Sequence, residues 1–294
     1  MTDSMIIRAI QAKVAQSTSV WRWILNFDRA FRHRLDDKGG EGLKANVASL
    51  RSEGIIVRRA EEIFDESGRD LLQEIAANVG KKLQDETVQV VLKKGTSGER
   101  KNYLLKLLPK EFDPKSPYIQ LAIHPGLLSI VNAYLGMRSY LRAVDVWLNF
   151  PTREQAKESQ LWHRDSDDTM VVKAFIYLTD VDHSNGPFYF IPRTQKLGVH
   201  HKVRAHKISG RVTDEGMAAI ISPPHWKVCS APANTVILAD TTGYHKGGKC
   251  ESRNRLLLTF EYVSGKALYP REFQLRGRWD GVRLDPEQKY ALFE

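Results

Sequence analysis

Ser159-Gln-Leu-Trp-His-Arg-Asp165, Val171-Val-Lys-Ala-Phe-Ile-Tyr-Leu178, Thr179-Asp-Val-Asp-His-Ser-Asn-Gly-Pro187 and Phe188-Tyr-Phe-Ile-Pro192 follow one another closely in the chain, and their spacing decides its architecture. His163 and Asp165 stand two apart. In an extended strand such residues share a face, roughly 6.5–7 Å apart along the chain. An imidazole and a carboxylate can therefore converge on one metal while Arg164 faces away. A second imidazole, His245, must arrive from a distant strand. Two histidines and one carboxylate are the ligand set of mononuclear non-haem iron(II) with open coordination positions. A structural zinc site wants four protein ligands, usually with cysteine, and Cys229 and Cys250 lack that spacing. The set predicts Fe(II) bound by His163, Asp165 and His245.

Working outward, the chain from Arg138 onward consists of short runs rich in Val, Ile, Leu, Phe, Tyr and Trp, divided by Gly, Pro, Asn and Asp turns. That pattern predicts a mainly β protein with bracing helices, a double-sheet jelly roll whose strand ends present residues into a mouth. One bracing helix carries Leu71, Leu72, Ile75, Ala76, Val79 and Leu83 on one face, with Ser67-Gly-Arg-Asp70 as a capping-box start. Another opens at Pro125, tolerated in a first turn, and stops near Gly136. Residues 1–45 read as a basic helical extension, with Ile6, Ile7, Ile10 and Val14 at helical spacing, a stripe that packs on the parent domain or lies on a membrane surface. The catalytic domain is expected over 46–265, its jelly-roll core over about 138–264, and a C-terminal extension over 266–294.

These pieces, in this order, resemble the phytanoyl-CoA dioxygenase family of Fe(II)- and 2-oxoglutarate-dependent oxygenases. The H-x-D leads into a strand and a D-x-x-x-x-N-G-P turn at Asp180 to Pro187. Then Val236-Ile-Leu-Ala-Asp240 runs to Gly243-Tyr-His-Lys-Gly-Gly248, similar to the family's distal-histidine loop. Arg253-Asn-Arg-Leu-Leu-Leu-Thr-Phe260 resembles the strand whose arginine holds 2-oxoglutarate, and Arg253 keeps the family's distance to Phe260. Arg255 shares its strand face and is the alternative. A guanidinium suits the task because its planar fork grips a carboxylate bidentately and stays charged when buried. The resemblance covers about Asn46 to Gly265 and is strongest over 147–262. The family often has Gly-Ser-His after Ile-Pro, where this chain has Arg193-Thr194-Gln195.

The resemblance implies a double-stranded β-helix, cupin-like, with the metal inside, and 2-oxoglutarate as cosubstrate. O₂ would be reduced while 2-oxoglutarate is decarboxylated to succinate and CO₂ and a substrate C–H bond is hydroxylated. Asp165 favours hydroxylation over halogenation, because halogenating relatives lack that carboxylate. Desaturation and ring formation stay open. Asn149 matches a position that hydrogen-bonds 2-oxoglutarate, or it simply ends a strand. Gln160 faces the cofactor or solvent, Asp167 and Asp168 form a hydrated turn, and Trp162, pointing away from His163, belongs to the core. A non-catalytic binding protein of the same fold and a cupin-type metalloenzyme without 2-oxoglutarate are the rivals.

Composition agrees. At 294 residues with 42% hydrophobic content the chain can bury a sizeable core, and one β domain with helical additions fits better than two domains. No apolar stretch approaches ~18 uncharged residues, which argues against a membrane span. Two cysteines make no disulfide framework, and with a redox-active Fe(II) site they point to a reducing, cytoplasmic setting. The net charge of +9 comes with no nucleic-acid motif, which makes nucleic acid an unlikely partner. Residues 183–213, however, hold Arg193, Lys196, Lys202, Arg204, Lys207 and Arg211 with no Asp or Glu. Either this is a solvated loop, or it is a basic rim that attracts a small anionic substrate.

Overall fold

The computed structural model describes residues 40–94, 103–168, 170–196, 203, 210–264 and 270–293. The expected N-terminal amphipathic stripe lies outside them.

A six-stranded antiparallel sheet forms the back of the molecule, in the order β1-β8-β5-β10-β4-β2. Its strands are β1 (Ile55–Arg59), β2 (Leu104–Lys106), β4 (Ser139–Asn149), β5 (Val171–Tyr177), β8 (Thr235–Asp240) and β10 (Arg255–Ser264). The facing sheet is smaller, with β6 (Phe188–Phe190) between β7 (Lys227–Cys229) and β9 (His245–Gly247). Single bridges extend it: His163 pairs with His245, and Trp162 with Val212. A third, parallel pair joins β3 (Glu111–Phe112) to β11 (Gln274–Leu275). The main sheet thus recruits β1 and β2 from well before residue 138, which widens the expected jelly-roll core.

Strand alternation sorts the side chains of the main sheet into two layers. Val144, Val146 and Leu148 of β4, Val172, Ala174 and Ile176 of β5, and Leu256, Leu258, Phe260 and Tyr262 of β10 turn to the helices and are buried there. Among the described residues the helices are α1 (Glu41–Glu53), α2 (Glu66–Leu83), α3 (Glu86–Lys94), α4 (Pro117–Ala122), α5 (Pro125–Leu135), α6 (Asp214–Ala218) and α7 (Pro286–Phe293). Leu72, Ile75 and Val79 of α2, together with Leu127, Leu128 and Val131 of α5, join that same core. Tyr262 donates its hydroxyl to Ala122 O at 2.6 Å, tying β10 to the end of α4. Helix α1 runs across residue 45, so the expected boundary there falls inside an element.

Two local features concern the ends of elements. Helix α2 is capped by Asp65 rather than Ser67: Asp65 Oδ1 accepts from Gly68 N at 3.1 Å and from Ser67 Oγ at 2.7 Å. A carboxylate one residue outside the first turn is the better acceptor for the exposed amides there. The second concerns Arg193-Thr194-Gln195. Arg193 has φ 69°, the left-handed region glycine favours, and it is held by Glu53, whose backbone O accepts from Arg193 N at 2.9 Å and whose carboxylate accepts from its guanidinium. The backbone that glycine would adopt freely is thus kept by an ion pair. Among the described residues no helix is long and apolar enough to cross a membrane.

Candidate metal centre and its cavity

The three expected ligands come together. One ligand atom each from His163, Asp165 and His245 lie within 4.8 Å of one another. Backbone pairing is the cause: His163 N donates to His245 O at 3.0 Å, His245 N to His163 O at 2.9 Å, and Asp165 N to Thr241 O at 2.9 Å. The extended stretch from Trp162 therefore lies beside β9, with the two imidazole centroids 4.2 Å apart. Trp162 points the other way and is fully buried, as expected of a core residue.

Each imidazole is oriented from behind. His163 Nδ1–H donates to Leu161 O at 2.8 Å and His245 Nδ1–H to Gly243 O at 3.0 Å, a tautomer assigned from those partners. Both Nε2 lone pairs then face Asp165, whose carboxylate oxygens lie 3.9 Å from His163 Nε2 and 3.7 Å from His245 Nε2. Burial pushes both imidazoles below their ordinary pKa, and for His163 the neighbouring His245 adds to the effect. Neutral imidazoles with fixed second nitrogens are what a metal requires. Burial alone would raise the Asp165 carboxyl, but Lys173, His245 and His163 outweigh it and hold it far below the usual range. The chemistry of the set fits one divalent ion with sites left open.

A cavity of about 310 Å³ opens from this triad along the inner face of the main sheet. At one end Arg255, only 4% exposed, donates from Nη2 to Asn149 Oδ1 at 3.2 Å, directly opposite it in the β10–β4 register. Its Nε is buried with no acceptor. Gly247 leaves the space beside it, for a Cβ there would come within 3.3 Å of Arg255 Nη2. Trp147, Phe175, Phe188 and Leu257 supply apolar wall.

The other end is ionic. Lys173 Nζ lies 2.9 Å from Asp165 and 3.1 Å from Glu261. Burial works against its ammonium, but Asp165, Glu261 and Asp167 hold it protonated. Arg142 reaches Glu261, Glu272 and Asp167, while Lys106 pairs with Asp145. Burial and the nearby Glu261 lift Asp167 to about 6.

Arg253, the preferred 2-oxoglutarate arginine, lies outside the cavity. It precedes β10 in an exposed loop, where its guanidinium pairs with Asp182 and its Nε donates to Ser184 Oγ at 2.9 Å. Strand alternation begins only at Arg255, so the shared face expected for the two arginines does not extend to Arg253. Gln160 sits in a 3-10 turn, Glu158–Gln160, not on the metal strand, and its Oε1 accepts from Lys157 N at 3.2 Å. Asp167 and Asp168 do not form a hydrated turn: Asp167 lines the cavity and Asp168 is fully buried against Ser264 Oγ at 2.6 Å. Of the basic segment, Arg193 is turned to Glu53, Arg211 lines the cavity, and Lys202, Arg204 and Lys207 lie outside the described residues. Sequence reasoning passed over Lys173, Asp145, Arg142 and Glu261 as site residues. Their signal was a charged letter at an alternate position of an otherwise apolar strand, as in Val171-Val-Lys-Ala-Phe175.

Comparison with solved structures returns the same architecture. EctD from S. alaskensis in its apoform is 19% identical, covers 84% of this chain and 88% of its own, and superposes with a TM-score of 0.54. AviO1 from Streptomyces viridochromogenes Tue57 is 16% identical, with 78% and 98% covered and a TM-score of 0.53. The epimerase SnoN, in complex with Fe3+, alpha ketoglutarate and nogalamycin RO, is 16% identical, with 83% and 92% covered and a TM-score of 0.52. At such identities the likeness establishes the cupin-like jelly-roll fold. Comparison with curated protein sequences gives no match. The family model described as Phytanoyl-CoA dioxygenase (PhyH) matches residues 52–211, from the end of α1 through the metal strand, β5 and β6 to Arg211. With more than half its length matched, this chain belongs to the phytanoyl-CoA dioxygenase family.

Proposed function

We propose that the protein is an Fe(II)- and 2-oxoglutarate-dependent dioxygenase that hydroxylates a C–H bond of a small organic substrate, with release of succinate and CO₂. The observation that carries this reading is one cavity lined both by the two histidines of the His163–Asp165–His245 cluster and by a buried guanidinium with a free nitrogen, Arg255. The SnoN and EctD structures with bound iron or 2-oxoglutarate lend it weight through the shared fold.

His163, Asp165 and His245 hold the ion. Arg255, steadied by Asn149, receives the distal carboxylate of 2-oxoglutarate through a charge-assisted bond. Iron and cosubstrate, when bound, supply the oxidative chemistry, and the chain supplies orientation. Phe175, Phe188, Trp147 and Leu257 exclude water from the reacting end. Lys173 pairs with Asp165 Oδ2, the oxygen nearer His245, and so fixes the carboxylate beside the two imidazoles.

Titrating the anaerobic protein with Fe(II) and then 2-oxoglutarate tests this reading. A weak visible charge-transfer band should appear only when both are present, and aerobic incubation should then release succinate. Metal binding without a band would favour a cupin-type enzyme that uses no 2-oxoglutarate, and no metal binding would favour a non-catalytic binding protein.

A further inference from the structure

Among the described residues, eight charged side chains line the cavity besides the two metal-site histidines. Six of them are compensated on the spot. Arg142 meets Glu261, Glu272 and Asp167, Lys173 meets Glu261, and Asp145 meets Lys106. Two guanidiniums remain, Arg255 and Arg211. Neither has a carboxylate partner among the described residues, and Arg255 Nε and Arg211 Nη1 are both buried without an acceptor. A desolvated guanidinium hydrogen that finds no acceptor is costly, so each arginine is suited to an anion that arrives with a ligand.

Strand register places Arg211 with care. Trp162 and Val212 exchange both backbone hydrogen bonds, at 2.9 and 3.0 Å, in an antiparallel bridge. One residue further along, His163 and Arg211 stand opposite each other, and directly opposed residues share a face. His163 is bridged on its other side to His245. Arg211, His163 and His245 are therefore neighbours across three adjacent strands, while Arg255 approaches from the main sheet opposite. The cavity thus holds these two separate cations, one on each sheet.

We propose that Arg211 is the specificity-determining residue for the primary substrate, and that it receives a carboxylate or phosphate group of that substrate close to the metal. The proposal rests on the dioxygenase reading, in which Arg255 is taken by 2-oxoglutarate. It replaces a diffuse basic rim with one residue: Arg211 closes the acid-free stretch 183–213 and points its charge inward.

Two minimal probes test it, propionate for a carboxylate and inorganic sulfate for a phosphate, the latter chosen because it does not precipitate ferrous iron. Anaerobic full-length protein with Fe(II) and saturating 2-oxoglutarate is titrated with each by calorimetry, in the wild type, Arg211→Gln and Arg211→Lys. The wild type should bind at least one probe with a single site. Arg211→Gln should weaken it by about tenfold or more, and Arg211→Lys by less, since lysine keeps the charge and loses the fork. The 2-oxoglutarate midpoint, read from the visible band, should move by less than about twofold. No binding of either probe to the wild type, equal binding to Arg211→Gln, or a larger loss for 2-oxoglutarate than for the probe each overturns the assignment. The last outcome would give Arg211 to the cosubstrate instead. Absence of the visible band in the wild type overturns the dioxygenase reading itself, and the assignment with it.

Discussion

Arg253 and Arg255 form a natural controlled pair at the foot of β10. Both are guanidiniums on one short stretch, but Arg253 is half exposed and pairs with Asp182, whereas Arg255 is buried against Asn149. Arg255→Lys should raise the 2-oxoglutarate dissociation constant by about 10- to 100-fold, the scale of one charged hydrogen bond lost from a buried site. Arg253→Lys should leave it within about twofold, since exposed ion pairs contribute little. Equal effects in the visible-band titration would take the role away from Arg255. Gly247→Val offers a second check on the same site. Its Cβ would lie 3.3 Å from Arg255 Nη2, so 2-oxoglutarate binding should weaken while Fe(II) binding persists. The clustering of the candidate metal ligands was legible in the sequence because period-two spacing fixes His163 and Asp165 on one face, and a histidine at the start of a distant strand completes the set. The burial that separates Arg255 from Arg253 was not, because it depends on where β10 begins to pair with Asn149, a tertiary fact. The place of Gln160 off the metal strand was not legible either, because the 3-10 turn that bonds it back to Lys157 leaves no periodic pattern.

At the scale of elements, alternation did most of the specifying. Leu256, Leu258, Phe260 and Tyr262 face the helices, and Arg255, Leu257, Thr259 and Glu261 face the cavity, so one strand carries both a core and a site. The strands from Arg138 onward and the helices from Pro125 and through Leu71–Leu83 could be read from such periodicity. The recruitment of β1 and β2 could not, because no local pattern says that Ile55–Arg59 will pair with β8, over a hundred residues away. Helix α2 offers a test at its N-terminus. Ser67, Gly68 and His124 all hydrogen-bond to the Asp65 carboxylate and hold its pKa at about 2. Asp65→Ala should lower the melting temperature at pH 7 more than Ser67→Ala, which leaves the bond from Gly68 in place. The sign of the pH dependence follows from the depressed pKa. The Asp65 contribution is present in full above the ordinary carboxylate range and is lost as pH falls toward about 2, so wild type and Asp65→Ala should converge in acid. A difference that persists unchanged at low pH would remove the charged cap from the account.

In the molecule as a whole, the metal centre lies where separate parts of the chain meet. His163 and Asp165 come from the stretch before β5, and His245 opens β9 in the minor sheet. Asp165 is linked through Lys173 to Glu261 in the middle of the main sheet. An ion held by all three ligands would therefore fasten the two sheets together at the mouth of the cavity. A ligand that binds only the folded state at a hundred times its dissociation constant stabilises by ~2.7 kcal/mol. For a chain of this size each kcal/mol is worth roughly 2–4 °C, so anaerobic Fe(II) should raise the melting temperature of the wild type by about 5–10 °C. His163→Ala, Asp165→Ala and His245→Ala should each abolish most of that shift and all succinate release. Without metal these variants should keep the wild-type circular dichroism, because the strand pairing at His163 and His245 is made by backbone atoms and Lys173 keeps Glu261 as a partner. Differential scanning calorimetry with and without Fe(II) measures both halves of the expectation. If any one alanine variant retains the full metal-induced shift, that residue is not a ligand. If all three do, the ion binds elsewhere and the cavity loses its metal.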